Sequence, residues 1–584
     1  MTTLLLTIGV TSAQAKHKEK YAAAQPLTPE QNALIKKAIA AEKLTIKSIQ
    51  QKSPLVQTYI QNMKGDQKLY AVPISDQYML SRVDFGKAFY GKAYSTGEAS
   101  DNGKGMFRGS LEAMGLLSKS LMLPGNVRYM PDGFLGMMFI DPTGFDQQHY
   151  DFVFVRKAFL GTIRCDVFDV HPKAGLGEGR FTGRVWVDDD SGNVVRFNGT
   201  YTGSEMADKL DDNDYFHFDS WRQNLQPGVW LPVGVYVEET SRKDKEHPIS
   251  FKAHTQIWGY SLKVPTHQSD NESVKIDDVT DQSQNSDDVS PLQAQREWIS
   301  QAEENVLDRL TQAGLLAAPS DFDKVLEQVT NNIIIGNNIE LAAPVHCRVM
   351  LTTPLESIAV GNTIILSKGL VDTLPSEESL AAVLSFQLAH IVLGHHIDTK
   401  YAFNDRLLFP DESTFSRIQM HHTDLDDTEA AKKAVALLDK SIYKDKMGNA
   451  GLYFAQLQQR EKELSALNTP RLGDSLLDST GQPWLVAIQK RAPKLDQDKL
   501  DQIAALPLGS RLRTDAWDDK VYTLKTNPVP LLNARDKMPF EVTPVYYKLV
   551  RYDQSQTAAA SDSTQQQPAQ PNQASAQPAA QPQQ

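Results

Sequence analysis

Hydrophobic residues recur along this chain with two different periods. Between residues 67 and 264 they alternate with polar ones. Ile163, Cys165 and Val167 show the pattern, and Phe181, Val185 and Val187 repeat it in RFTGRVWVDDD. NVVRFNGTYTG, WLPVGVYVEE and FKAHTQIWGYSL follow. Alternation places successive side chains on opposite faces, so each run predicts a strand. Ser191-Gly192-Asn193 makes a turn between two of them, which gives a hairpin. The region reads as a broad antiparallel sheet. Ahead of it, Leu27 to Asp66 has helical spacing and starts at Thr28-Pro29-Glu30.

The second half has the helical period. LQAQREWISQAEENVLDRLTQAGLLA is amphipathic, and Asp321 to Thr330, Asp427 to Lys440 and Tyr443 to Leu467 continue the pattern. HCRVMLTT, NTIILS, DKVYTLK and TPVYYKLV are strand candidates. Ser376 to Ile397, SEESLAAVLSFQLAHIVLGHHI, predicts the central helix. Ser376 is a favourable N-cap, and Glu377 and Glu378 suit the positive end of the helix dipole. Leu380, Val383, Leu384, Leu388, Ile391 and Val392 form its apolar pattern, and the run is too short to span a bilayer.

Composition divides the chain further. Residues 265–291 are rich in Asp, Ser, Gln and Asn and read as a linker, and residues 554–584 form a Gln/Pro/Ala-rich tail. Residues 1–15 contain a short apolar core and an Ala13-Gln14-Ala15 signal, which predicts a signal peptide and an exported, periplasmic or extracellular protein. The expected order is therefore an N-terminal helix and antiparallel β domain over 27–264, then a helix-rich domain over 292–553, in the α+β class. A net charge of −12 argues against nucleic acid and anionic lipid surfaces. The two cysteines, Cys165 and Cys347, leave both a disulfide and two buried thiols open.

Candidate chemistry lies in the middle of the central helix. Phe386-Gln387-Leu388-Ala389-His390 has the form of H-E-x-x-H with two residues replaced. In that motif the histidines at i and i+4 share a helix face and bind zinc, and the Glu acts as general base. Here His390 remains, Phe386 offers no lone pair, and Gln387 cannot take a proton. On an ideal helix His395 and His396 lie roughly 120–140° around from His390, so a rebuilt site would need His421 or His422 to fold back. Against a metal stands the plainer reading of His390 as a neutral core histidine. HHIDTK then becomes a polar helix end, and DLDD a solvated acidic cap.

GNTIILSKGLVDTLPSEESLAAVLSFQLAHIVLGHH resembles the catalytic segment of metallopeptidase family forty-eight, which includes the CAAX prenyl endopeptidases and the membrane protease HtpX. The resemblance covers roughly residues 300–450. It implies a zincin-like fold for the second domain. It also implies that Phe386 stands at a zinc histidine, Gln387 at the base and, depending on register, Asp427 or Thr428, in DDTEAAKKA with Glu429 close by, at the third ligand. LESIAVGN, with Ser357, Ile358 and Ala359, falls at the family's substrate strand. The β region loosely resembles periplasmic lipoprotein carriers. Three functions follow. A pseudopeptidase without cofactor would bind a polypeptide or partner protein. An active zinc endopeptidase would need a rearranged site. A lipid or lipoprotein carrier would work through the β domain.

Overall fold

The computed structural model describes residues 26–66, 70–85, 90–93, 131–142, 144–174, 180–201, 216–239, 251–260, 291–397, 420–470, 472–493, 512–515, 520–523 and 549–552. The signal-peptide reading, the 265–291 linker and the C-terminal tail lie outside the described residues, apart from Pro291.

Thr28 caps the first helix, α1 (Pro29–Ile49), through a reciprocal capping box with Gln31. The helix stops well short of residue 66. Ser53-Pro54 breaks it, and Leu55–Asp66 forms strand β1. The helical expectation over 27–66 failed for a physical reason. β1 is buried on both faces over most of its length, so its apolar residues do not alternate with polar ones. The remaining strands are β2 (Tyr70–Asp84), β3 (Tyr90–Ala93), β4 (Tyr150–Leu160), β5 (Ile163–Pro172), β6 (Phe181–Asp188), β7 (Val194–Tyr201), β8 (Phe216–Gln226), β9 (Val229–Glu239) and β10 (Phe251–Trp258). They form one ten-stranded antiparallel sheet in the order β3-β2-β1-β10-β9-β8-β7-β6-β5-β4.

One face of this sheet is covered by α1 and by residues 131–140. Leu34, Ile35, Phe134 and Met138 pack there against Val56, Phe197, Phe218 and Ala253. The helices α2 (Pro291–Gln312) and α3 (Asp321–Asn337) follow, then β11 (His346–Met350), β12 (Glu356–Val360), β13 (Thr363–Ser367), α4 (Lys368–Thr373) and α5 (Glu377–Leu393). After them come α6 (Asp424–Leu438), α7 (Met447–Gln459), α8 (Ser465–Asn468), β14 (Asp474–Ser475), α9 (Val486–Gln489), β15 (Leu512–Asp515) and β16 (Lys520–Thr523). β11, β13, β12 and β14 form a small mixed sheet in that order. The class is α+β.

The two halves share their cores. Leu55 and Leu80 of the large sheet pack with Ala302, Val306 and Ile358. Tyr59 and Tyr236 join the core built around α5. The chain end also returns to the large sheet. Leu549 is buried against Ile163, Cys165 and Trp186, and Arg551 holds both oxygens of Asp188 at 2.9 Å. Among the described residues, those of 292–553 thus share core clusters with the large sheet. Cys165 and Cys347 are both free and buried.

Asp76 joins the two halves. Its carboxylate accepts hydrogen bonds from the Ala466 and Leu467 amides at 2.8 Å and from the Tyr59 hydroxyl at 3.1 Å. Burial pushes its pKa up to about 6, against the hydrogen bonds that lower it. A carboxyl raised in the folded state adds stability that is complete below the unfolded pKa, about 4. That contribution is lost as pH rises through about 6. Comparing wild type with Asp76→Asn by thermal denaturation should therefore show the wild type losing relative stability, on the order of 2 kcal/mol, between about pH 4 and pH 7. A pH-independent difference would refute the assignment.

Candidate functional site

The central helix α5 begins as its residues dictate. The Ser376 side chain accepts from the Ser379 amide, and Glu377 and Glu378 occupy the first turn. It ends at Gly394, in the left-handed region at φ 74°, rather than running to Ile397. That ending changes where the following histidines go. The chain reverses, the His395 amide donates to the His390 carbonyl at 3.0 Å, and His395 Nδ1 comes within 3.1 Å of His390 Nδ1. The ideal-helix angle that separated these two residues does not apply beyond Gly394. His396 turns away and meets Glu303 at 2.8 Å.

Phe386 and Gln387 are fully buried beside His390. The Phe386 ring meets the His390 ring edge-on at 5.0 Å and shares its core with Ala430 and Ala431 of α6. Gln387 Nε2 donates to Ser357 Oγ at 2.9 Å and to Asp474 Oδ2 at 3.1 Å. The amide is therefore held as a donor where a general base would stand.

Four ionisable side chains from three segments meet here. The ligand atoms of His390, His422, Asp427 and Asp474 lie within 4.8 Å of one another, and all four residues are buried. α5 positions His390. Thr423 caps α6 in a reciprocal box with Asp426, so the expected acidic cap is present, but Asp427 in its first turn points inward and is buried. His422, just before that cap, stacks on His390 with ring centres 3.8 Å apart. His421 beside it stays exposed. Asp474 arrives on β14, which pairs Asp474 with Ser357 and Ser475 with Glu356. The buried Glu356 carboxylate anchors the approach by accepting from the Leu472 amide at 2.9 Å.

Asp474 accepts three hydrogen bonds. Its Oδ1 accepts from the His422 amide at 2.7 Å, and its Oδ2 accepts from His422 Nδ1 at 2.8 Å and from Gln387. Burial raises its pKa, but the hydrogen bonds from His422 outweigh that and hold the carboxyl below the usual range. Asp427 is the opposite case. Burial and the neighbouring Asp474 charge raise it well above the usual range. Burial, with His422 close by, pulls His390 down to about 3. Three atoms in the cluster have no hydrogen-bond partner: His390 Nε2, His422 Nε2 and Asp427 Oδ1.

Ser357, Ile358 and Ala359 are buried in an interior strand. β13 lies on one side of β12, and on the other β14 pairs with Glu356 and Ser357. The open edge expected for extended peptide at Ser357 is thus filled by the chain's own Asp474. Sequence reading named His390 and Asp427, and His421 or His422 as a residue that would have to fold back; of that pair, the cluster contains His422. The same reading missed Asp474, whose only signal is an acidic residue in a glycine-containing turn, RLGDS, far along the chain.

No family model matches this chain, and no curated protein matches it. Among solved structures it is similar to a DUF1329 family protein from Desulfovibrio piger, at 11% identity and a TM-score of 0.22. The match covers 41% of this chain and 96% of that one.

No helix among the described residues is long and apolar enough to cross a membrane.

Proposed function

We propose that this chain is a metallopeptidase-like protein that does not hydrolyse peptides and instead binds a polypeptide or a partner protein. One observation carries the reading. Gln387 stands at the base position of the motif and is fixed as a donor to Ser357 and Asp474. A carboxamide is too weakly basic to take a proton from water, and loss of a general base alone removes roughly 10²–10⁴ of rate. Burial of the whole cluster supports the same reading, because a scissile bond must reach the reacting atoms. A partner has to displace β14 or use another surface.

The purified protein, with and without added zinc, should leave unfolded casein intact over hours. Cleavage that a chelator stops and that His390→Ala abolishes would overturn the proposal in favour of an active endopeptidase.

A second reading rests on a pocket of about 400 Å³ between the large sheet and the second half. Leu225, Val229, Leu231, Ile257, Trp258 and Tyr260 contribute to its lining, which suits an acyl chain. Lipid carriage predicts a co-purifying lipid in an organic extract analysed by mass spectrometry. A lipid-free extract would remove this reading.

A further inference from the structure

We infer that His390 Nε2, His422 Nε2 and Asp427 Oδ1 together bind one divalent first-row transition-metal ion, with Asp474 and His395 acting as positioning residues. The site differs from the one the motif implies. Phe386 offers no donor there, and the second imidazole comes from the segment before α6.

The argument starts from the three unpartnered atoms. Buried polar atoms are ordinarily hydrogen-bonded, and each exception calls for an explanation. These three belong to residues that are 0%, 2% and 5% exposed, and they occur in one cluster. His390 Nε2 and Asp427 Oδ1 are 3.3 Å apart and still form no hydrogen bond. In a tetrahedral zinc site with bonds of about 2.0–2.2 Å, neighbouring donors are separated by about 3.3–3.6 Å. The 3.3 Å spacing of this pair is one that two ligands of a single ion can have.

Proton placement agrees. An ionised carboxylate only accepts, so the 2.8 Å contact to Asp474 requires His422 Nδ1 to carry a hydrogen. That leaves a lone pair on His422 Nε2. On the other side, His395 Nε2 faces Asp426 and Glu429 at 3.7 Å, which favours a hydrogen on that nitrogen. His395 Nδ1 then accepts from His390 Nδ1 at 3.1 Å, and His390 Nε2 is also left with a lone pair. Both ligand histidines thus have the other ring nitrogen held by an outer partner, the usual arrangement at protein metal sites. Two imidazoles and one carboxylate suit zinc or iron(II) rather than magnesium or calcium. Two buried carboxylates near one point also gain from a divalent charge.

The test uses zinc. Full-length protein is stripped with a chelator, desalted and titrated with Zn²⁺, and metal content is read by mass spectrometry alongside the melting temperature. The wild type should take up about one zinc per chain and melt higher with it. Asp427→Asn and His422→Gln keep side-chain size and should lose stoichiometric binding. Asp474→Asn should retain the stoichiometry and weaken affinity roughly 10- to 100-fold. His421→Ala, exposed and outside the cluster, should match wild type. Folded wild type that binds far less than one zinc overturns the inference, as does zinc binding by Asp427→Asn equal to wild type. Should the variants not fold, the wild-type stoichiometry alone decides. Zinc binding without proteolysis supports both this inference and the proposed function. Chelator-sensitive proteolysis would overturn only the latter, and absence of zinc only the former.

Discussion

Glu42→Ala is expected to destabilise the protein by about 3–5 kcal/mol. Glu42 lies on the buried face of α1, in step with Ala38, Thr45 and Ile49. Its carboxylate receives both arms of Arg222 from β8, at 2.6 and 2.8 Å, and both side chains are only 1% exposed. Arg222 also donates to the Met138 carbonyl at 3.3 Å. One ion pair thus ties α1, the 131–138 turn and the sheet together. Removing the carboxylate leaves a guanidinium in the core with one carbonyl partner. The cost is that of an uncompensated buried charge, and it exceeds what the pair itself contributes, because desolvation offsets much of the attraction. The double variant Glu42→Leu with Arg222→Met should therefore recover most of the loss. Urea denaturation of the three proteins checks this. A Glu42→Ala cost below about 1 kcal/mol would mean that water reaches Arg222.

Phe386→Ala, made alone, is expected to cost about 3–5 kcal/mol. The ring is 1% exposed and packs edge-on against His390 within the core that holds Ala430 and Ala431. Truncation leaves a cavity between two helices that cannot close without moving His390. Phe386→Leu keeps most of the apolar volume and should cost clearly less. Equal stability of Phe386→Ala and wild type in the same denaturation assay would show that α5 and α6 collapse over the gap. That outcome would also deny Phe386 any part in fixing His390.

Much of this architecture is legible from short-range pattern. RFTGRVWVDDD and NVVRFNGTYTG marked strands β6 and β7 through their β-branched and aromatic residues and the Ser191-Gly192-Asn193 turn between them, although both faces of β7 are buried and its burial does not alternate. Ser376, the two glutamates behind it and the apolar run specified α5. Gly394 was passed over in the helix expected to run to Ile397, and its left-handed cap is what places His395 beside His390. His390 was recognisable from the motif-like Phe386–His390 run, whereas Asp427 was a candidate only through the family resemblance, the plain reading of DLDD being a solvated cap.

What only the tertiary structure decided is non-local. β1 follows no simple period because helices and sheet cover both its faces. The Glu42–Arg222 pair joins elements far apart in the chain, and neither residue's neighbours announce the other. Asp474 belongs to the cluster only because two residues of β14 pair with Glu356 and Ser357 and turn its carboxylate toward His422. His422 faces inward and His421 outward because the turn into α6 gives adjacent side chains opposite directions. Local periodicity fixes which face of an element is buried. Which ionisable groups from distant elements then share one point depends on packing and register, and those are set by the whole fold.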